Sequence, residues 1–544
     1  MGLILLYIRS LNPSSLVYRL IFNHIQCRKK LNHIIMKRNK SKILIAGILC
    51  LAVYTSCKKQ LNVLDINSPT TTNYFKTASE LQNGVNAAYS TLRSASLAAR
   101  EWYFLHDMRG GETASGGPQL EAPRAELLQQ TNGAPSNFVI TMAWNGYYQI
   151  INRTNMVISR GPSITDNIAL RDQVVNEAKF LRAWAYFELV TQWGEVPLYT
   201  APVVSATDYK GKSPVAEIYG LIIADLTSAA AGLPATASEL GRATSGAANT
   251  LLGKVLIQKG NEYDAAKTAL LKVYGKYTLV DNYSDNFDGD VMVNGQKVTD
   301  GHEFNSESIF EIPFMDKGDN NFNWGYNGEG VASGISTIRN QEFGIVWGNI
   351  VPSKLYLEEF EANDPRYKFS VYEEGDMMLT YGGTRPGTPF TADNMNVATS
   401  TRNGVTKKRI FKKYVILDWD NSGYHPGGIN QRVLRYAEVL LLLAECEIEL
   451  PNGSLSLAKK YIDEVRSRKS VNMPGVSFSS KNQAIRALMH ERMVELGIEE
   501  VNNIDMLRWR ARGYYPSIMA DPRAGQQNLL PIPSSETSTN PMIK

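Results

Sequence analysis

The stretch Glu177–Leu198, EAKFLRAWAYFELVTQWGEVPL, constrains the fold of this chain more than any other. Phe180, Trp184, Phe187 and Val190 recur at helical spacing, and Leu181 and Leu189 widen the stripe. Ala183 and Ala185 lie between the bulky residues and leave room for a neighbouring helix to come close. Gly194 then ends the helix and Pro197 prevents an immediate restart, the usual order of stop signals. A helix with this much aromatic surface requires a core around it. The pattern predicts a buried scaffold helix with a defined exit.

The chain has 544 residues, of which 43% are hydrophobic and 20% charged, enough for a large globular core and more than one lobe. The formal charge of +4 is unevenly placed. Residues 1–56 hold nine of the 57 Lys and Arg and none of the 53 Asp and Glu, so the remainder is net acidic by five. No basic patch points to nucleic acid. Cys27, Cys50 and Cys57 lie in or beside the N-terminal segment, leaving Cys446 alone on a Leu-rich helix as a small buried hydrophobe. These positions support neither a disulfide framework nor a zinc site.

The N-terminal segment reads as an address. Residues 1–35 show no clear periodicity and read as an extension from a start placed too far upstream. Met36 opens a better start, with KRNKSK as a positive region and an apolar run from Ile43 to Val53. That run is short of the roughly 20 residues needed to span a bilayer and suits a signal peptide over 36–56. It ends in Tyr54-Thr55-Ser56-Cys57, which resembles a bacterial lipobox with Cys57 as the lipidated residue. Residues 57–75 are polar and read as a tether, and no later run approaches 18 apolar residues.

Helical patterns follow over Leu81–Leu97, Thr141–Ile158 and Pro214–Ala231. In Leu251–Tyr274, Gly253, Gly260 and Ala265 follow the spacing of a tetratricopeptide hairpin, with small residues where two helices touch. Val433–Leu450 and Leu457–Arg468, separated by Pro451-Asn452-Gly453, form a second pair. Between them 281–431 is rich in Gly, Asn, Asp, Tyr and Trp, with short β-like runs such as Ser308–Phe314. Loops of this length usually carry function. The expected fold is mainly α: a tetratricopeptide-like helical-pair scaffold with long loop-rich insertions and minor β-structure. An N-terminal helical region spans 76–275, and 276–544 contains the loop-rich segment.

Four blocks in order then resemble the SusD/RagB family: EAKFLRAWAYFELVTQWGEVPL, RYAEVLLLLAE followed by YIDEVRSR, HERMVELGIEE with IDMLRW, and the closing LLPIP and NP. The resemblance covers essentially the whole chain from Cys57 onward. It implies a SusD-like outer-membrane surface lipoprotein, anchored at Cys57, without catalytic activity or cofactor. Such proteins sit on a TonB-dependent β-barrel transporter of the SusC/RagA kind and capture glycans, or in some cases peptides, for import. It also implies that Trp184, Trp193 and Trp509 are structural.

Glu491, Arg492, Glu495, Asp505 and Arg508 have the composition of an acid/base site, but their spacing equally suits an ion-pair network locking the last helices, the reading adopted. His490-Glu491 lacks the second His of a zinc-protease helix, since that position is Val494. Asp418–Gly423 starts like a calcium loop but carries Ile429 where the bidentate Glu belongs. No metal is expected. Gly325, Gly328, Gly330 and Gly334 do not form a phosphate-binding pattern. Sugar binding needs exposed aromatic faces beside amide, carboxylate or Arg groups. Trp102 with Asp107 and Arg109 forms one such group. Asn321, Asn323, Trp324, Tyr326 and Asn327 form a second, and Trp347 with Asn349 a third. The second is the favoured ligand site. The rival readings are a secreted glycoside hydrolase, which requires two carboxylates facing across a groove, and a tetratricopeptide scaffold that binds a protein segment.

Overall fold

In the computed structural model, the central helix runs from Ile168 to Trp193 and ends at Gly194, the stop expected from sequence, whose φ of +74° favours glycine. The structure describes residues 74–543 apart from 131–132, 294–295, 316–335, 345–346, 379–387, 392–396 and 416–426, with four isolated positions nearer the N-terminus. Helices α1 (Ala78–Leu92), α2 (Phe138–Arg160), α3 (Ile168–Trp193), α4 (Val215–Gly232), α5 (Ser245–Lys259) and α6 (Tyr263–Leu271) make the first part. Helices α7 (Tyr436–Glu449), α8 (Leu455–Arg466), α9 (Lys481–Leu496) and α10 (Asn502–Ala511) make the second. Shorter helices and small sheets lie between them, so the fold is mainly α with minor β-structure. Phe75–Lys544 is one compact unit, and its main apolar cluster runs from Ala78 to Leu530 without a break near position 275.

Helix starts are set by side-chain caps. Thr77 and Glu80 form a reciprocal capping box on α1, and Asn137, Asn167, Thr244, Ser454 and Ser480 cap α2, α3, α5, α8 and α9. Each such cap contributes ~1 kcal/mol. From Glu177 to Trp193 every residue of α3 except Lys179 is buried, so this helix is enclosed on all faces instead of presenting one stripe. It packs against α1, α2 and α4. Trp184 meets Tyr147 and Trp102 edge-on at 5.7 and 5.8 Å, and Trp193 meets Trp144 at 5.6 Å. Its buried charges are paired: Arg182 donates to both Asp225 oxygens at 2.8 and 2.9 Å, and Arg242 donates to Glu177 at 2.7 Å.

Consecutive helices α4–α5, α5–α6 and α7–α8 pack against each other. A Cβ on Gly253 would sit 2.5 Å from Leu270, so this glycine permits the close α5–α6 contact. Gly260 instead turns the chain at φ +87° with open space around it, and the α6 contact uses Ala266 and Ala269 while Ala265 is exposed. Among the described residues, α4 is long and apolar enough to cross a membrane, contrary to the expectation that no such run exists. It is a scaffold helix, with Ile218, Ile222 and Leu226 fully buried and Asp225 paired to α3.

Strand β1 (Thr113–Ser115) pairs antiparallel with β3 (Ile350–Pro352), and β2 (Ser308–Ile312) with β7 (Gln431–Arg435). Strands β4 (Val371–Glu373), β5 (Thr399–Arg402) and β6 (Val405–Phe411) form a third sheet. Residues 433–435, read from sequence as helix, extend β7, because they pair with β2 before α7 begins at Tyr436. Cys446 on α7 is fully buried, and burial pushes its thiol pKa up.

The last helices are tied to the strands by a buried lattice of Arg and carboxylate groups. Glu495 accepts from Arg435 and Arg468 at 2.8 Å each and from Arg366 at 3.0 Å. Arg435 and Arg468 also donate to Glu307 at 2.7 and 2.6 Å, and Arg435 to Glu499 at 2.6 Å. Beside it, Arg508 bridges Asp505 at 2.7 Å and Glu445 at 2.8 Å, and Arg492 holds Asp505. Burial opposes the charge on Glu495, but the three guanidinium groups outweigh it and hold its pKa far below the usual carboxylate range. Each carboxylate of the possible acid/base set is buried and ion-paired to an Arg, so these residues form a structural network.

At the rim, His490 contacts Glu359 at 2.8 Å and Glu361 at 3.2 Å. Burial opposes its charge, but these hydrogen bonds prevail and raise its pKa from 6.5 to about 9. Burial likewise pushes Glu359 up, and the bonds from His490 and Arg486 prevail, lowering it from 4.5 to about 2.

Two outcomes are expected. Arg366→Met leaves Asp364, Glu491 and Glu495 buried without their shared cation and should cost ~3–5 kcal/mol in denaturant melts; an unchanged midpoint would show that the lattice does not carry stability. The His490 contribution is complete below pH 6.5 and lost as pH rises through about 9, whereas that of Glu359 is complete above pH 4.5 and lost as pH falls through about 2. The melting temperature should therefore decline between pH 6.5 and 9, and His490→Gln should flatten that limb. An equally steep limb in the variant would assign the decline to other groups.

Candidate functional site

The three aromatic groups expected from sequence have different locations. Trp102, Asp107 and Arg109 are buried, on or just after the short helix Glu101–Asp107, all of whose residues are buried. Trp102 Nε1 donates to Glu188 at 3.3 Å, and Asp107 pairs with Arg339 at 3.3 Å. Burial raises the Asp107 pKa to about 6 against the pull of Arg339. Arg109 donates to Gln192 at 2.7 Å and to the Asn528 carbonyl at 2.9 Å. This group therefore presents no face to a ligand, and the expected binding role is corrected to one of packing and charge pairing. The short helix has no exposed side, so its aromatic residues join the α3 core.

Asn321, Asn323, Trp324, Tyr326 and Asn327 lie outside the described residues, as do Cys57 and the Asp418–Gly423 stretch. The chain on either side of the Trp324 segment is well anchored. Phe314 N donates to Asn430 Oδ1 at 2.8 Å, and Thr337 exchanges backbone bonds with Gly427 at 2.9 and 2.7 Å. Thr337 Oγ1 also donates to the Ala99 carbonyl at 3.1 Å. The two ends of 316–335 and the end of 416–426 thus adjoin one base built from β2, β7 and the Ala99 turn.

Trp347 is half-buried on the chain between the helix Arg339–Phe343 and β3. Its backbone N donates to the Gln341 carbonyl at 3.2 Å, and its carbonyl accepts from Gln119 Nε2 at 3.2 Å. Asn349, expected beside it as a polar contact, is buried and bonded to Glu342. Of the aromatic residues in these groups, Trp102 is buried and Trp347 is half-buried.

The fold also creates cavities that the sequence pattern does not reveal. Tyr148, Tyr199 and Tyr209 line one of about 300 Å³ with Gln149, Asn152 and Glu536, combining aromatic, amide and carboxylate groups. Tyr148 Oη donates to the Pro197 carbonyl at 2.9 Å, and Tyr199 Oη accepts from Lys210 N at 3.2 Å, which fixes both rings. The helical spacing of Tyr147 and Tyr148 hid this, since one ring is core and the next reaches the surface. A second cavity of about 310 Å³ lies between α1 and β2. Among the described residues, Asp285, Asp288 and His302 bring potential metal-ligand atoms within 4.8 Å of one another. The bond from His302 Nδ1 to Asp288, 2.6 Å, raises the imidazole pKa and favours an ion pair over coordination.

Two family models match this chain. The SusD family model covers residues 306–515, and a model described as starch-binding associating with outer membrane covers 119–257. SusD-like protein P2 of Formosa agariphila is 27% identical over 92% of this chain and 98% of its own length. A SusD-like protein of Bacteroides ovatus is 25% identical over 68% and 65%. Among solved structures, a laminarin-binding SusD-like protein superposes with a TM-score of 0.68 at 23% identity, over 86% of this chain and 99% of that one. A SusD superfamily protein from Bacteroides vulgatus gives 0.67 at 22% identity, over 87% and 99%. Both share the fold. With two successive family models and relatives spanning the helical scaffold and the strand base alike, the chain belongs to the SusD/RagB family.

Proposed function

We propose that this protein is a cell-surface lipoprotein that captures glycans and passes them to a SusC/RagA-type TonB-dependent transporter in the outer membrane. The observation that carries this reading is the match of two SusD-type models, one described as starch-binding and outer-membrane associated, to successive parts of the chain. It is supported by the description of a structural neighbour as a surface glycan-binding protein of Bacteroides thetaiotaomicron bound to laminarihexaose, with a TM-score of 0.64. Residues 36–56 would act as the lipoprotein signal, Cys57 as the lipid anchor and 57–75 as the tether, with 1–35 upstream of the true start. The helical pairs, including the Gly253 contact, would form a tetratricopeptide-like frame over 76–275, with the loop-rich segment of 276–544 facing the ligand.

Capture would use ring faces for the C–H side of a sugar and amides for its hydroxyls. Trp324 and Tyr326 with Asn323, together with Trp347, are the proposed contacts. The anchored flanks of 316–335 support this placement, because they attach that segment to rigid elements. The same surface chemistry would suit a peptide, the ligand class of the alternative within this family. Hydrolysis is disfavoured because Glu491 and Glu495 are buried and ion-paired to Arg366, so neither faces a groove where a substrate could sit.

Two variants test the reading. Cys57→Ser should release the protein from the outer-membrane fraction, and retention there would refute the anchor. Trp324→Ala should weaken binding of the cognate glycan about tenfold, ~1.4 kcal/mol for one stacking platform, with little change in melting temperature. A fall of many degrees would place that ring in the core. Pull-down from solubilised outer membrane should co-purify a β-barrel transporter, and its absence would count against the delivery step.

A further inference from the structure

The cavity between α1 and β2 has an apolar floor of Leu92, Phe310 and Ile312, all nearly inaccessible, and an exposed rim formed in part by Leu240. Helix α1 contributes Asn86, Tyr89 and Arg93, which the helical repeat places on one side at i, i+3 and i+7. Most polar groups around it are already partnered. Arg242 donates to Glu177 and to Asn86 Oδ1 at 2.7 Å each and to Glu239 at 2.5 Å, and it lies 5.6 Å from the Tyr89 ring centre. Tyr89 Oη accepts from Ala243 N at 3.0 Å. Glu311 accepts from Phe304 N at 3.0 Å and Asn430 at 2.9 Å and faces Arg432 at 3.5 Å.

Arg93 differs from these. Among the described residues no carboxylate or carbonyl accepts from its guanidinium, and none accepts from the Asn86 amide nitrogen. Burial without a counter-charge lowers the Arg93 pKa. Its place at the C-cap of α1 provides the favourable field of the helix terminus but no acceptor for its five N–H groups. A planar guanidinium without a partner, at the wall of an apolar cavity, matches a planar or tetrahedral oxyanion through paired N–H···O bonds. The volume of about 310 Å³ is at the small end of ligand pockets, the scale of a single sugar unit.

We propose that this cavity seats an anionic saccharide unit, bearing a carboxylate or a sulfate, with Arg93 as the fork that holds the oxyanion and Asn86 as a second donor. The inference deepens the glycan-capture reading and rests on it for the saccharide part. Apolar ring C–H groups would lie against the exposed Leu240 while the charged substituent points to α1.

Titration calorimetry on the purified full chain tests this with two pairs of probes: a uronate oligosaccharide against its carboxyl-reduced form, and a sulfated oligosaccharide against its desulfated form. The expected result is at least tenfold tighter binding of the charged member of one pair, which also names the substituent. That preference should weaken with added salt, be lost in Arg93→Gln and be partly kept in Arg93→Lys, with circular dichroism melts confirming that both variants fold. Equal binding of charged and neutral members, or a preference that survives in Arg93→Gln, overturns the proposal and leaves glycan capture standing. Failure of all four probes and of neutral laminari- and malto-oligosaccharides to bind overturns the proposal together with the glycan reading.

Discussion

The charge lattice around Glu495 is the interaction on which the rest of the structure depends. Arg366, Arg435 and Arg468 approach this one carboxylate from three different parts of the chain, and all four side chains are excluded from water. Burying charges is costly unless each is paired and hydrogen-bonded, and removing one partner exposes the full desolvation penalty of the others. The lattice therefore acts as a registration device. Helix α9, strand β7 and the segment after α8 satisfy it only in one mutual arrangement. The same strand β7 then pairs with β2, and the chain flanking 316–335 is bonded to residues just before β7.

The enclosed helix α3 has the corresponding role in the first part of the chain. Its aromatic residues are surrounded, and its few charges are satisfied by Asp225 and Arg242 from neighbouring elements. Two kinds of rigidity result: apolar enclosure around α3 and ionic enclosure around Glu495. Each leaves the surface to elements outside it, and a capture protein needs a frame whose geometry does not change with the ligand.

Much of the frame was legible because helices repeat locally. The apolar spacing of α3, its Gly194 stop and the break at Pro451-Asn452-Gly453 follow from interactions a few residues apart, and the structure has them where the pattern placed them. The ionic reading of Glu491, Arg492, Glu495, Asp505 and Arg508 also follows from the alternation of acids and bases along two neighbouring helices. Its partners Arg366 and Glu307 do not, since they lie more than a hundred residues away. The Trp102 group was misread for the same reason. Nothing within Glu101–Asp107 signals that Glu188, Gln192 and Arg339 will enclose it.

Arg93 is the opposite case. By sequence it is an ordinary cation at the end of an amphipathic helix, and every neighbour in the chain is compatible with a solvated side chain. Its lack of an acceptor appears only once β2 and the Glu239–Arg242 turn are folded against α1 and use up the nearby carboxylates. Periodicity, capping residues and family blocks suffice to establish helix identity, fold class and kinship, since these depend on short-range regularities. Which aromatic rings are exposed and which charges lack a partner depends on contacts between residues far apart in sequence, and those exist only after the chain has packed.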